Sequence, residues 1–245
     1  MSHQSRRQLL SDKFSILFGG VVVVLAFVGI VEKQTAASEL HPELVKYVQE
    51  RQSEFELIPD SRKAELEKLS LYIESRLETA SPIHMTFICT HNSRRSHMAQ
   101  LWAAVAATHH GVEQFKSYSG GTEATAFNPR AVAALQRAGL SLTTDEIRPN
   151  PRYKVSCSST GENWECFSKI YHSPPNPTAN FCAVMTCSSA DEDCPVVAGA
   201  DARFAIPYVD PKVSDNTPEE SATYDERSAQ IAREMFYVFS KLKSK

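Results

Sequence analysis

Residues 85–96 read Met85-Thr86-Phe87-Ile88-Cys89-Thr90-His91-Asn92-Ser93-Arg94-Arg95-Ser96. The first four form a short buried-strand pattern. A polar loop follows, and then an apolar run over 98–108 with helical spacing. A strand that turns through a polar loop into a helix is the arrangement in which α/β folds place their active sites, at the carboxyl end of the strand. Cys89 stands at that end. The loop's N–H groups can converge into a nest for a tetrahedral oxyanion. A helix N-terminus favours the thiolate of a neighbouring cysteine, which is the nucleophilic form. Arg95, six residues on, can fold back and clasp two oxygens. Ser96 can donate a hydrogen bond to the sulfur. The chemistry this loop points to is nucleophilic attack by sulfur on phosphorus or arsenic, with Arg95 stabilising the developing charge.

Outward from the loop, 115–118, 181–186 and 204–209 read as further strands. The stretches 129–138 and 228–242 read as helices, the first with Pro129 at its first turn and Gly139 as its stop. Thr217 is expected to cap the final helical region, with Glu220 at the capping-box position in an acidic, solvated lead-in. Alternating strands and helices predict a three-layer α/β/α domain over 83–245, with a central parallel sheet of four strands. The segment 150–180 carries prolines at 151, 174, 175 and 177 with little periodicity, and its length suggests a functional flap.

Upstream, 39–82 reads as a helical extension. Leu44, Val48 and Phe55 mark one stripe, and Leu66, Leu69, Ile73 and Leu77 mark another after Asp60 or Ser61. A hairpin packed on the main domain is the favoured expectation. Residues 14–31 form an uncharged apolar run preceded by Arg6, Arg7 and Lys13. Three readings stand for 1–38: a membrane anchor that leaves the rest outside the cytoplasm, a cleaved export signal with a twin-arginine look, or a misassigned start before a cytoplasmic protein.

The net charge is −3, and no basic field accompanies it, which argues against a nucleic-acid partner. Hydrophobic residues are 42% and charged residues 22% of the chain, values of a globular protein. The six cysteines are too few for a disulfide scaffold of this length, so their placement matters. No Cys-x2-Cys occurs, and neither a metal nor a cofactor is expected.

The chain resembles the low-molecular-weight protein tyrosine phosphatases and the thioredoxin-coupled arsenate reductases built on the same fold. The resemblance runs from about residue 86 to the C-terminus. It rests on FICTHNSRRSHMAQ at 87–100, YSGGTEATAFNPRAVAALQRAGL at 118–140, VMTCSSADEDCP at 184–195, and Asp210-Pro211. It implies that Thr90, His91, Asn92, Ser93, Arg94 and Ser96 bind the oxyanion, and it matches Asn92 to a structural asparagine that tolerates a left-handed backbone. His91 stands where the family usually has glycine, and Arg94 where a small residue is common.

The resemblance also implies a relay. Cys89 attacks arsenate, Cys187 attacks the sulfur of the adduct so that arsenite leaves, and Cys194 attacks the resulting disulfide at Cys187. The Cys187–Cys194 disulfide then goes to an external thioredoxin-like dithiol. Under the phosphatase alternative, Asp210 supplies the general acid for a phosphomonoester leaving group. Lys212-Val213-Ser214 follow Asp210-Pro211, where phosphotyrosine enzymes tend to carry aromatic residues, which favours a small oxyanion. A third reading, prompted by His91 and Arg94, is an oxyanion-sensing module without turnover. Cys157 and Cys166 are either a disulfide or plain thiols, and Cys182 is a core thiol. His84, His97, His109 and His110 are expected as packing or surface residues.

Overall fold

The computed structural model describes residues 40–243, apart from 160, 162 and 195. The chain divides into two units, Met1–Lys33 and Gln34–Lys245, and all described residues lie in the second.

The central sheet is parallel throughout, with 115–121 at one edge, then 83–89, then 181–185, and 200–205 at the other edge. Its strands are β1 (Ile83–Cys89), β2 (Phe115–Gly121), β6 (Phe181–Met185) and β7 (Ala200–Ala205). Alternation along each strand sends side chains to two cores. On one face, Met85 and Phe87 of β1 and Cys182 and Val184 of β6 pack with the helices α1 (Pro42–Ser53), α2 (Asp60–Glu78), α3 (Arg95–His109), α4 (Pro129–Arg137) and α6 (Glu220–Ser240). On the other face, Ile88, Phe181, Ala183 and Met185 meet α5 (Ser188–Asp193) through Ala190. The fold is therefore the expected three-layer α/β domain.

The upstream helices share the larger core. Leu44, Val48, Leu66, Leu69 and Ile73 are fully or almost fully buried in it. Each such side chain contributes about 1.5–3 kcal/mol on leaving water. Ser70 also donates to the Val238 carbonyl of α6 at 2.9 Å. This packing explains the apolar stripes at helical spacing.

Four expectations are corrected. The expected membrane or export location is not supported: no helix among the described residues is long and apolar enough to cross a membrane, and 14–31, on which that expectation rested, lies outside them. The stretch 150–180 is not a flap. It contributes β4 (Tyr153–Ser156) and β5 (Trp164–Cys166), which pair antiparallel beside β3 (Ser141–Thr143). The fourth parallel strand occupies Ala200–Ala205 instead of 204–209. The last helix begins at Glu220 with Glu219 as its N-cap and no side-chain cap, so Thr217 does not cap it; the Glu220 carboxylate instead accepts from the Asn216 N–H at 2.6 Å.

The Cys157–Cys166 question is settled by register. Cys166 sits opposite Tyr153, four residues before Cys157 on the neighbouring strand. That offset is roughly 13 Å along the strand, beyond the reach of a disulfide. Cys166 is a buried thiol, its pKa pushed up to about 12 by burial.

Candidate active site

Cys89 ends β1, 3% exposed, and α3 begins six residues later. Between them the chain turns tightly enough to need Asn92 at φ +45°. Asparagine tolerates that region better than most residues. Among the described residues, no acceptor takes the backbone N–H of His91, Asn92, Ser93 or Arg94. These donors and the first turn of the fifteen-residue helix α3 form an electropositive cradle around the end of β1.

The Cys89 sulfur lies 3.0 Å from the Ser96 hydroxyl. The Asn92 amide donates to that same hydroxyl oxygen at 2.9 Å. An amide N–H can only donate, so the serine's own hydrogen is left for the sulfur. Asn92 is in turn pinned through its carbonyl oxygen, which accepts from the Lys169 N–H at 2.9 Å.

Arg95 opens α3 and turns toward the strand ends. Its guanidinium donates to the Tyr208 carbonyl at 3.1 Å and to the Asp210 carboxylate at 2.8 Å. The Arg95 Nε–H is buried with no partner among the described residues. Asp210 also accepts from the Lys212 N–H at 3.1 Å, at the head of a 3-10 turn over Pro211–Ser214. The loop thus combines a thiol, a ring of backbone donors and an oriented guanidinium within one strand–helix junction.

The other loop side chains are placed differently from expectation. Arg94 turns away to donate to the Tyr224 hydroxyl at 2.7 Å and to Asp215 at 3.3 Å. Tyr224 donates to the same carboxylate at 2.7 Å. Asp215 anchors Arg94, whose Nε also lies 3.9 Å from the Asp210 carboxylate. His91 is exposed, with its ring 3.6 Å from the Glu123 carboxylate. Ser93 is nearly buried, and its carbonyl accepts from Asn128. Inside the loop, what 91–94 present is therefore backbone N–H groups and not side chains.

Cys187 follows β6, the strand next to β1. It is the N-cap of α5, and its sulfur accepts from the Ala190 N–H at 3.4 Å. That sulfur is 3.6 Å from the Thr90 hydroxyl, one residue past Cys89. Cys89 and Cys187 are buried in one cluster, and Cys194, half-exposed at the far end of α5, packs against it. The three cysteines singled out in the sequence are thus brought together, whereas Cys157, Cys166 and Cys182 belong to the opposite face.

The segment 167–171 was missed as part of the site. Ser168 donates to the His91 carbonyl at 3.1 Å and accepts from the Thr125 N–H at 2.8 Å. Lys169 and Tyr171 exchange backbone bonds with Gly121. A Cβ on Gly120 would stand 2.2 Å from the Tyr171 Cα, and one on Gly121 2.6 Å from the Thr90 carbonyl oxygen. The two glycines let this brace and the loop close on β2. Lys169 is buried, which pushes its pKa down to about 8. His97 stacks on Phe127 at 3.9 Å, and burial together with the Lys169 charge holds it well below the usual imidazole range. No local motif marks the brace, because it is built from contacts about 77 residues apart.

Among the described residues there is no group of three metal-ligating side chains.

The model of the low molecular weight phosphotyrosine protein phosphatases matches residues 84–156. An arsenate reductase from Bacillus licheniformis is 30% identical over 145 residues, 58% of this chain and 83% of that protein. An arsenate reductase 2 from Staphylococcus epidermidis is 30% identical over 114 residues, 45% of this chain and 65% of that protein. A solved low molecular weight protein tyrosine phosphatase from T. tengcongensis aligns with 65% of this chain and 99% of its own at 16% identity, with a TM-score of 0.45.

Proposed function

The chain belongs to the low-molecular-weight phosphotyrosine protein phosphatase family of cysteine enzymes, and from that premise we propose that it is an arsenate reductase working through Cys89, Cys187 and Cys194. The observation that carries this reading is the place of Cys187. Its sulfur is buried 3.6 Å from Thr90, beside the Cys89 loop. A phosphatase mechanism has no use for a thiol there.

In the first step the Cys89 thiolate attacks arsenate. The backbone donors of 91–94 and the free Nε–H of Arg95 receive the oxyanion. Water leaves, and an S–As(V) bond forms. The Cys187 thiolate then attacks the Cys89 sulfur. An S–S bond forms, the S–As bond breaks, and its electron pair stays on arsenic, which departs as arsenite. Last, the Cys194 thiolate attacks the Cys187 sulfur and Cys89 is released as a thiolate. An external dithiol of the thioredoxin type reduces the Cys187–Cys194 disulfide. Each thiol step is ordinary exchange, favoured when the attacking thiolate is within reach.

Phosphate-ester hydrolysis is the second reading, favoured by one contact: Asp210 bonds Arg95 directly and so faces the same loop. Cys187→Ser separates the two. Arsenite release by the variant should fall to background, while hydrolysis of an aryl phosphate should persist. Undiminished arsenite release would overturn the relay.

A further inference from the structure

Cys187 and Cys194 stand at opposite ends of α5, as its N-cap and C-cap. Seven residue steps at about 1.5 Å each put their Cα atoms roughly 10 Å apart. A disulfide needs about 4.4–6.8 Å. The pair therefore closes only when α5 opens. A helix of six residues has little stability of its own, so the contacts made to it from outside decide how readily it opens.

Arg203 supplies contacts of that kind at the C-terminal end. It reaches across from β7, donating from Nε to the Cys194 carbonyl at 3.1 Å and from Nη2 to the Asp191 carbonyl at 2.8 Å. It also pairs with the Asp191 carboxylate. A cation on the last carbonyls of a helix satisfies acceptors that have no partner within it. Beyond Cys194 the next fixed points are Val197, 5% exposed in the core shared with Cys89 and Cys187, and Gly199, at φ +81°, where a Cβ would fall 1.9 Å from the Thr178 carbonyl oxygen. Val196, between these points, is 80% exposed. Any opening between Cys187 and Cys194 is therefore bounded by β6 before it and by Val197 after it.

We infer that Arg203 is a latch on α5 that holds Cys194 away from Cys187 and sets the rate of the second thiol exchange. The inference rests on the relay described above. It also orders that relay. The Cys187 sulfur caps α5 by accepting from the Ala190 N–H. Once Cys187 is drawn into the disulfide with Cys89, that cap is lost while the Arg203 end still holds. Arg203 is a positioning residue: it acts on the cysteines through α5 and touches no substrate.

The test uses the full chain in a Cys89→Ser background, with glutathione disulfide as the oxidant and no arsenate. Half-exposed Cys194 forms the mixed disulfide and releases one glutathione. Attack by Cys187 on the Cys194 sulfur then gives Cys187–Cys194 and releases the second. Mass spectrometry follows conversion of the mixed disulfide into the internal one. Arg203→Gln should speed that conversion about tenfold, and Asp191→Asn should speed it by a smaller factor. With Cys89 intact, aryl phosphate hydrolysis by either variant should match the unsubstituted protein. Conversion within twofold of the parent for both variants would overturn the latch, and so would a parallel loss of hydrolysis, which marks a general loosening. Asp191→Asn serves alone if Arg203→Gln does not fold. Arsenite production judges the relay and the glutathione partition judges the latch, so the two fail separately.

Discussion

The Ser96 hydroxyl lies 3.0 Å from the Cys89 sulfur and is aimed at it by Asn92, whose amide occupies the hydroxyl oxygen at 2.9 Å. A donor so directed stabilises a thiolate more than a thiol. A hydrogen bond to a charged group contributes about 1.5–3 kcal/mol. Ser96→Ala should therefore slow alkylation of Cys89 by iodoacetamide at neutral pH about tenfold or more, with little change in melting temperature. An unchanged rate would mean that the serine is only a packing residue.

Asn92 ties the loop to the brace behind it. It donates to Ser96, accepts from Lys169, and holds φ +45°. Asn92→Ala removes both bonds and leaves a conformation alanine adopts poorly. It should destabilise the protein by about 2–4 kcal/mol in urea denaturation and abolish phosphate protection of Cys89 against alkylation. Asn92→Gly keeps the backbone freedom but not the bonds, so it should recover part of the stability and none of the protection.

Arg95 is held by the Tyr208 carbonyl and by Asp210, with its Nε–H unpartnered among the described residues. Lysine carries the charge without the planar fork. Arg95→Lys should lower kcat/KM for arsenate or an aryl phosphate by about 10²–10³-fold. A loss of under fivefold would place the oxyanion elsewhere.

How much of this was legible in the sequence depends on how local each contact is. The nucleophile, its serine and the arginine sit within eight residues, so their spacing and the flanking strand and helix revealed them. Cys187 was legible only through the resemblance to the arsenate reductases, which pair it with Cys194 after the same strand. The brace at 167–171 was not, since Ser168 and Lys169 reach the loop across 77 residues with no motif of their own. Arg94 read as an oxyanion ligand because nothing nearby in sequence shows that Tyr224 and Asp215 claim it. β7 was misplaced because its residues are only half-buried and lack an apolar run.

His110 gives a prediction about acid. It packs at the end of α3 against His109, Phe236 and Phe239, and burial lowers its pKa to about 4. The unfolded chain binds this proton near pH 6.5, before the folded one does. Stability is therefore full above pH 6.5 and falls as pH drops toward about 4, by at most about 1.4 kcal/mol per pH unit for this group. His110→Phe should flatten the decline in urea midpoint between pH 6.5 and 4. An unaltered slope would assign the acid sensitivity to other groups.

The relay is tested most directly by its last covalent product. The fully reduced full-length protein is mixed with arsenate and no external reductant, and its disulfides are mapped by mass spectrometry. The account predicts one arsenite released per chain and a Cys187–Cys194 disulfide, with Cys89 returned to the thiol. No new disulfide and no arsenite, from a sample that hydrolyses an aryl phosphate, would contradict it and leave a phosphatase whose second and third cysteines take no part in turnover.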